Sequence, residues 1–254
     1  MTAILSLARH TLLDALRERL LHTLGVFLLI LFGASRLLEP LALGEGRRVT
    51  LDLGLALVSL SGLLLVLFLG SRALQREIER RTILLLLARP IRRAEFLAGK
   101  YLGMLAVTGI ALCGMLALLG LVLWASGHGL TAGLLAVGYF AMLELAILCA
   151  WSLALTGAAG PAAAGAALIA LFVAGRLAPS LLETAAMLPP AAAALAGALF
   201  RMLPRLDLCA AGFEAAHGAT LPAQAFLWAG LHALLYCTAL LLLALLILRR
   251  REFA

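Results

Sequence analysis

Two ionisable side chains, Glu144 and His232, lie inside long apolar stretches of the chain. A carboxylate and an imidazole within hydrogen-bond reach of each other could perform acid–base chemistry. An unpaired charge in the middle of a membrane span costs at least about 2.5–3.5 kcal/mol, so Glu144 must be paired, protonated or in contact with water. The side chain could line a transport or gating pathway, or it could form a structural hydrogen bond with a neighbouring span, with His232 as its candidate partner.

Soft metal ligands form a second set of reactive side chains. Sulfur and imidazole ligands suit Cu(I), and they occur at Cys113, Met115, Met142, Cys149, His232 and Cys237. No two of them form a tight ligand motif, and methionine and cysteine are ordinary filler in apolar helices. We therefore predict no metal site. Of the four cysteines, only Cys209 lies outside the predicted spans, so the sequence suggests no disulfide framework.

The elements that carry these residues are predicted membrane spans. The chain has 254 residues, of which 64% are hydrophobic and only 13% are charged, far below the roughly 25% charged residues of soluble domains. A span needs about 20 apolar residues, and six segments qualify: 20–38, 51–71, 101–125, 134–156, 161–179 and 225–247. Spans one and two occupy residues 20–71, spans three to five occupy 101–179, and span six occupies 225–247. The sequence predicts an all-α membrane protein with six transmembrane helices, in which residues 1–254 form a single transmembrane domain.

Lysine and arginine are distributed unevenly along the chain. Residues 1–19, 72–100 and 249–254 hold fourteen of the 20 Lys/Arg, as three, eight and three, and with six spans these segments all fall on one side. Because basic residues near span ends mark the cytoplasmic side, both termini, including the tail 248–254, are predicted to be cytoplasmic. This orientation explains the net charge of +7, so we expect no nucleic-acid partner.

Helical patterns also occur outside the spans. In residues 1–19, leucines recur at helical spacing between charged residues, which predicts an amphipathic interfacial helix in the headgroup region. The outer segment 180–222 contains several prolines, and the composition between them predicts two short outer helices, 191–203 and 206–217.

Between spans two and three, residues 72–100 concentrate eight Lys/Arg and three Glu. Glu77 and Arg81 are four residues apart in the order that stabilises a helix. Pro90 pushes Arg89 out of helical geometry and can begin a new helix, so the segment predicts two short helices joined at a corner. The run 83–87 is too short to cross a bilayer, at about 8 Å of helical rise. It is also too apolar for water, so we expect it to be buried at the membrane surface or against another protein.

This segment resembles the permease subunits of type-2 ABC exporters, most closely the branch described as permeases of multicopper-enzyme maturation systems. The shared pattern is a Glu-x-Glu pair, a threonine, a leucine-rich turn, a Pro-Ile step, a glutamate and a lysine. In this chain the pattern comprises Glu77, Glu79, Thr82, Leu86, Leu87, Pro90, Ile91, Glu95 and Lys100. Arg81 and Ala88 depart from it, where glycine and a small hydroxyl residue are frequent, and these departures weaken assignment to a subfamily.

The resemblance implies a permease that forms a dimer, expected as a homodimer, and whose residues 72–100 are a cytoplasmic coupling helix pair bound to a separate ABC ATPase subunit. ATP binding by that partner would push on these helices and change the packing of spans one, two and five at the dimer seam. The chain has no Gly-rich loop ending in Gly-Lys-Ser/Thr, since Gly99-Lys100 is followed by Tyr101. ATP and magnesium are therefore expected only in the partner. The expected ATPase contact comprises Glu77, Glu79, Arg80, Arg81, Thr82, Leu84, Leu86, Leu87 and Pro90.

Three classes of function remain open at this point. The first is the transmembrane permease subunit of an ATP-driven exporter in the inner membrane, where lipid surrounds it. Such a subunit is not an enzyme by itself. An amphipathic or lipid-like substrate would suit it, with a sulfur or copper species as the alternative. The second is an intramembrane enzyme that uses Glu144 and His232. The third is a membrane scaffold without a transport role. The arginines of 72–100 could also act only by orienting the spans in the membrane and by binding acidic lipid head groups. That role does not explain the glutamates among them.

Overall fold

The computed structural model describes residues 21–38, 45–79, 93–127, 129, 133–185, 197, 211–219 and 221–250. In this part of the chain the structure is helical, without strands. The helices are α1 Leu21–Leu38, α2 Gly46–Glu79, α3 Arg93–Ala125, α4 Gly133–Ala158, α5 Pro161–Ala185, α6 Ala211–Ala216 and α7 Ala223–Arg250. The predicted helix 1–19, the corner at Pro90 and, apart from residue 197, the predicted helix 191–203 lie outside the described residues.

Five of the described helices, α2, α3, α4, α5 and α7, are long and apolar enough to cross a membrane. They correspond to predicted spans two to six. Predicted span one corresponds to α1, whose described apolar stretch is His22–Ser35, shorter than the about 20 residues of a typical span. The helices therefore indicate a multi-pass membrane protein.

Helix α4 is the centre of the bundle. It contacts α2, α3, α5, α6 and α7, whereas α1 packs against α2 and α3. The four consecutive residues 147–150 are all buried, and four residues cover more than one turn of about 3.6 residues. Buried side chains therefore surround α4 on every side at this turn, so a buried polar side chain in this part of the helix must find its partner inside the protein.

Helices α2 and α3 are longer than the hydrocarbon core of a membrane. They contain 34 and 33 residues and are each about 50 Å long, against about 30 Å for the core. The apolar span of α2 ends at Gly70, but the helix continues to Glu79. The apolar span thus ends where span two was predicted to end, at Gly70-Ser71. Residues 71–79 prolong the helix beyond this span, and residues 93–100 likewise belong to the helix of span three.

Close packing explains why Gly70 does not interrupt α2. A Cβ atom on Gly70 would collide with the hydroxyl of Ser152 on α4. The absence of a side chain lets the two helices approach closely, as small residues do between membrane helices. Gly54 of α2 plays the same role against Leu119 of α3. These glycines are packing positions, and the helix passes through both of them.

The short helix α6 closes one end of the bundle. It lies inside the predicted outer helix 206–217, and the backbone of Ala215 touches Gly133, the first residue of α4. His217, which follows α6, contacts Asp52 near the start of α2. The beginnings of α2 and α4 and the helix α6 therefore share one end of the bundle, as the alternating topology requires.

Replacing Gly133 by alanine is expected to displace α6. The new Cβ would meet the backbone of Ala215, which cannot rotate away, and overpacking of this kind costs typically about 1–3 kcal/mol. A cysteine placed at Val137, a buried position beneath α6, should then react faster with a membrane-impermeant thiol reagent. Gly160→Ala is the control, because a Cβ at Gly160 meets nothing within 4 Å. Equal labelling rates in the two glycine variants would contradict the tight contact.

A buried ion pair as the candidate functional site

Glu144 lies near the middle of α4, in the most enclosed part of the protein. Only 3% of the residue is exposed. The helix runs from Gly133 to Ala158, so several helical turns separate Glu144 from either end. A carboxylate at this depth requires a partner, and the partner comes from the next helix along the chain.

Arg176 of α5 binds Glu144. Nη2 of Arg176 lies 3.0 Å from both Oε1 and Oε2 of Glu144, and Nε lies 3.3 Å from Oε1. Two nitrogens of the guanidinium thus donate to the carboxylate, and charge-assisted contacts of this kind are the strong ones among hydrogen bonds. The structure pairs Glu144 with Arg176 instead of the suggested His232, whose ring stacks on Tyr236 with centroids 5.7 Å apart.

The antiparallel arrangement of α4 and α5 explains why these two residues meet. Glu144 is almost as far along the chain from the end of α4 at Ala158 as Arg176 is from the start of α5 at Pro161. Residues equally far from a short turn lie at the same depth, here about 22 Å along each helix. Sequence reasoning missed Arg176 because it falls close to the end of predicted span 161–179, where an arginine can extend to the interface.

Further side chains surround the guanidinium of Arg176. Nη2 donates a 2.7 Å hydrogen bond to Oγ of Ser59 on α2. The ring centroids of Phe172 on α5 and Phe213 on α6 lie 5.5 and 5.6 Å from the guanidinium carbon, within the about 6 Å range of cation–π contacts. We call Glu144, Ser59, Phe172 and Phe213 the cation cage. Four helices contribute to the cage and its occupant.

A small cavity of about 10 Å³, about the room of one water molecule, borders the cation cage. Its wall is apolar except for the carboxylate of Glu144 and the hydroxyl of Ser59. The lining residues are Leu55, Val58, Ser59, Val137, Ala141, Glu144, Gly212 and Phe213, from α2, α4 and α6. The cavity therefore lies between α6 and the buried carboxylate of Glu144.

In the cation cage the carboxylate of Glu144 is held by a cation and not by the imidazole of His232 that the acid–base hypothesis named. Both carboxylate oxygens accept hydrogen bonds from Arg176. Among the described residues there is also no group of three or more His, Cys, Asp or Glu side chains that could hold a metal ion. Cys149 and Cys237 are buried free thiols.

The sequence of the whole chain matches a known family of membrane proteins. The family model described as ABC-2 family transporter protein matches residues 5–252. The chain belongs to the ABC-2 transporter family. It is therefore a permease subunit of an ABC transporter, a class of subunit that works with an ABC ATPase. A search of the curated proteins found no match.

The family match confirms the resemblance that residues 72–100 carry, at the level of the ABC-2 permeases; the branch of multicopper-enzyme maturation permeases stays a prediction. Glu77 and Glu79 belong to the last turn of α2. The other predicted ATPase-contact residues lie outside the described residues: Arg80, Arg81, Thr82, Leu84, Leu86, Leu87 and Pro90. The contact of the permease with its ATPase therefore stays a prediction from sequence.

A second contact between an acidic and a basic side chain links α6 of the permease to α2. His217 Nε2 lies 2.8 Å from Asp52 Oδ1, with 31% and 60% of the side chains exposed. Exposed pairs contribute about 0–1 kcal/mol, so Asp52→Asn is expected to lower the midpoint of thermal unfolding by no more than about 4 °C. A much larger fall in the melting curve of the detergent-solubilised permease would show that this pair, rather than packing, holds α6.

Proposed function

We propose that this permease is the transmembrane subunit of an ATP-driven exporter in the inner membrane, with six spans and both termini in the cytoplasm. On this proposal a separate ABC ATPase binds ATP and magnesium, and the permease converts the closure of that partner into movement of substrate across the membrane. The match to the ABC-2 family supports the role. The observation that carries the coupling is the shape of α2 and α3.

The long helices α2 and α3 can transmit force from a partner to the spans. Residues 71–79 extend α2 beyond its apolar span by about 13 Å, and α3 begins at Arg93. Both extensions point to the end of the bundle that carries the basic segment 72–100. A push on this segment would move two continuous helices, since neither extension is separated from its span by a break. Glu77 and Glu79, in the last turn of α2, would contact the ATPase, with the apolar residues 84–87 behind them.

An apolar face shared by α1, α2 and α5 supports the homodimer. α2 contacts both α1 and α5, which places the exposed side chains of the three helices on neighbouring parts of the surface. The exposed apolar residues on it include Val26, Leu29, Leu60, Leu64, Phe68, Ile169, Val173 and Leu177. On α5 the exposed alanines Ala163, Ala166 and Ala170 would let a second copy approach closely. Lipid would cover the remaining apolar surface, including α7.

Single cysteines on this face are expected to form disulfides between two permease chains. In a two-fold dimer, residues near the axis face their own copies, so at least one of Leu60→Cys, Leu64→Cys, Val173→Cys and Leu177→Cys should cross-link under mild oxidation. Leu234→Cys, on the exposed face of α7, is the control for random collision. Cross-linking from α7 alone, measured on denaturing gels, would place the dimer contact elsewhere.

Copurification separates the exporter from the other two functions. An affinity-tagged permease extracted in mild detergent should bring a roughly equimolar ATP-binding protein with it, and the complex in liposomes should hydrolyse ATP. An intramembrane enzyme or a scaffold would bring no such subunit. Purification of the intact permease without an ATPase, from cells that express the neighbouring genes, would overturn the proposal.

A further inference from the structure

The face that α5 turns toward the core consists mostly of small residues. The buried residues of this helix that the structure describes are Ala164, Leu168, Gly175 and Ala178. Small residues let membrane helices approach closely, but they offer few protruding side chains that could fit into holes on a neighbouring helix. Several rotations of α5 would therefore give contacts of similar quality.

The outward face of α5 has the same composition in the first half of the helix. Ala163, Ala166 and Ala170 are exposed, whereas Ala164 and Gly165 are buried or partly buried. One residue of an α-helix corresponds to about 100° of rotation, so a rotation of this size would exchange one alanine for another. Neither size nor hydropathy distinguishes the inner from the outer face in this half of the helix.

Contacts at glycine constrain α2 more tightly than they constrain α5. A Cβ atom at Gly54 or Gly70 of α2 would collide with the facing helix. A Cβ atom at Gly165 of α5 would meet the side chain of Leu67 on α2 at 3.8 Å, which is an ordinary van der Waals distance. Gly165 therefore does not fix the position of α5 against α2.

Helix α7 shows how a helix with a small buried face can be held in one rotation. Its buried residues include Ala229 and Ala233. The hydroxyl of Tyr139 on α4 donates a 2.8 Å hydrogen bond to the backbone oxygen of Phe226 on α7, and a Cβ atom at Gly230 would collide with the same hydroxyl. A large polar side chain of α4 thus specifies the rotation of α7.

On α5 the corresponding group is the guanidinium of Arg176. Among the described residues of α5, Arg176 makes the only hydrogen bonds to other helices, to Glu144 of α4 and Ser59 of α2. The aromatic ring of Phe172 packs on the same guanidinium. A shift of α5 by one turn, about 5.4 Å, would separate the pair and leave Glu144 buried without a cation, which is strongly destabilising. The pair is therefore compatible with one arrangement of α5.

We propose that the Glu144–Arg176 pair fixes the rotation and the register of α5 against α2 and α4, and so selects the face that α5 presents to a second permease chain. Apolar replacement of a buried ion pair is often neutral in stability, and specifying register is the best-attested role of such groups. Both are positioning residues. The first part of this inference concerns a single chain, and only the second part rests on the proposed homodimer.

The reactivity of a thiol on the buried face of α5 tests this role. In Arg176→Met/Glu144→Met, a cysteine introduced as Ala164→Cys would be exposed in some rotations of α5. N-ethylmaleimide should therefore modify it at least about tenfold faster than in the chain with the intact pair. The rate is measured on the detergent-solubilised complex below its unfolding midpoint, by mass spectrometry of the peptide that carries the new cysteine. Ala233→Cys on α7 is the matched control, since 3% of Ala233 and 4% of Ala164 are exposed, and its rate should not change.

Three results would overturn the proposal. Equal rates at Ala164→Cys with and without the pair would show that packing alone orients α5. Equal increases at Ala164→Cys and Ala233→Cys would show a general loosening of the bundle. A double variant that no longer folds would show that the pair is needed for stability rather than for register. If no cysteine on the face of α1, α2 and α5 cross-links two chains, the proposed homodimer fails, whereas the labelling rates still decide whether the pair orients α5.

Discussion

Replacing Arg176 by methionine is expected to lower the free energy of unfolding of the permease by about 3–5 kcal/mol. The substitution keeps an unbranched side chain but leaves the carboxylate of Glu144 buried without a cation, and breaking a buried ion pair on one side costs about this much. At about 2–4 °C per kcal/mol for a chain of this size, the midpoint of thermal unfolding should fall by roughly 6–20 °C. Size-exclusion chromatography of the heated, detergent-solubilised complex measures the midpoint.

The double variant Arg176→Met/Glu144→Met is the matched control. Replacement of a whole buried ion pair by apolar side chains of similar volume is often neutral or stabilising, so the double variant should recover most of the lost stability. Asp52→Asn, which removes a partner from an exposed pair, should barely change it. If the double variant melts as early as Arg176→Met, the loss comes from packing around Arg176, and the unpaired carboxylate is not its cause.

Charge reversal at Glu77 and Glu79 is expected to abolish stable binding of the ATPase subunit. Removing one partner of a buried charged contact between proteins costs about 2–5 kcal/mol, and reversal adds repulsion. The affinity should therefore fall at least about 30-fold. The amount of ATPase that copurifies with Glu77→Lys/Glu79→Lys, and the ATP turnover of that material in liposomes, measure the effect.

Glu183→Lys/Glu214→Lys provides a control with the same change in net charge. Glu183 lies near the end of α5 and Glu214 lies in α6, and both are exposed at the opposite end of the bundle from the end of α2. This variant should retain the ATPase. Equal retention by the two double variants would show that Glu77 and Glu79 do not form the contact.

Glu144 could be found in the sequence, whereas its partner could not be found by composition alone. A carboxylate in the middle of an apolar run is conspicuous because its burial is costly. Arg176 is inconspicuous because basic side chains near span ends are common and extend into the interface. A count of residues from the turn between spans four and five would have placed both at one depth. His232 was chosen instead because it was the other ionisable side chain well inside a span.

The continuity of α2 through Gly70 is a feature of packing. The sequence predicts the end of an apolar span at Gly70-Ser71 and a helix in the segment that follows, but glycine is a weak helix former, so the sequence does not show that the two are one helix. In the folded protein Gly70 is the point at which α2 meets Ser152 of α4, and tertiary contact outweighs the local preference. That α2 continues without a break to Glu79 therefore depends on a contact between helices that single-sequence patterns do not contain.

The position of Phe213 in the cation cage depends on contacts between residues that are distant in sequence. Helix α6 was predicted as part of 206–217 from its composition, but its position over α4 depends on Gly133 and Ala215. Phe213 reaches Arg176 only because α6 lies there. The spans and their order thus follow from hydropathy and charge. The cation cage instead depends on how α6, a helix of six residues, packs against three long helices.

A photo-reactive amino acid at Leu86 tests most directly whether residues 72–100 are held by a nucleotide-hydrolysing subunit at the cytoplasmic surface. We predict that illumination of native membranes joins this position to an ATP-binding protein. The same probe at Leu234, on the exposed face of α7, should give no such product. Adducts with lipid alone at Leu86, or labelling of Leu86→Cys by an impermeant reagent added outside intact cells, would contradict the coupling role of this segment.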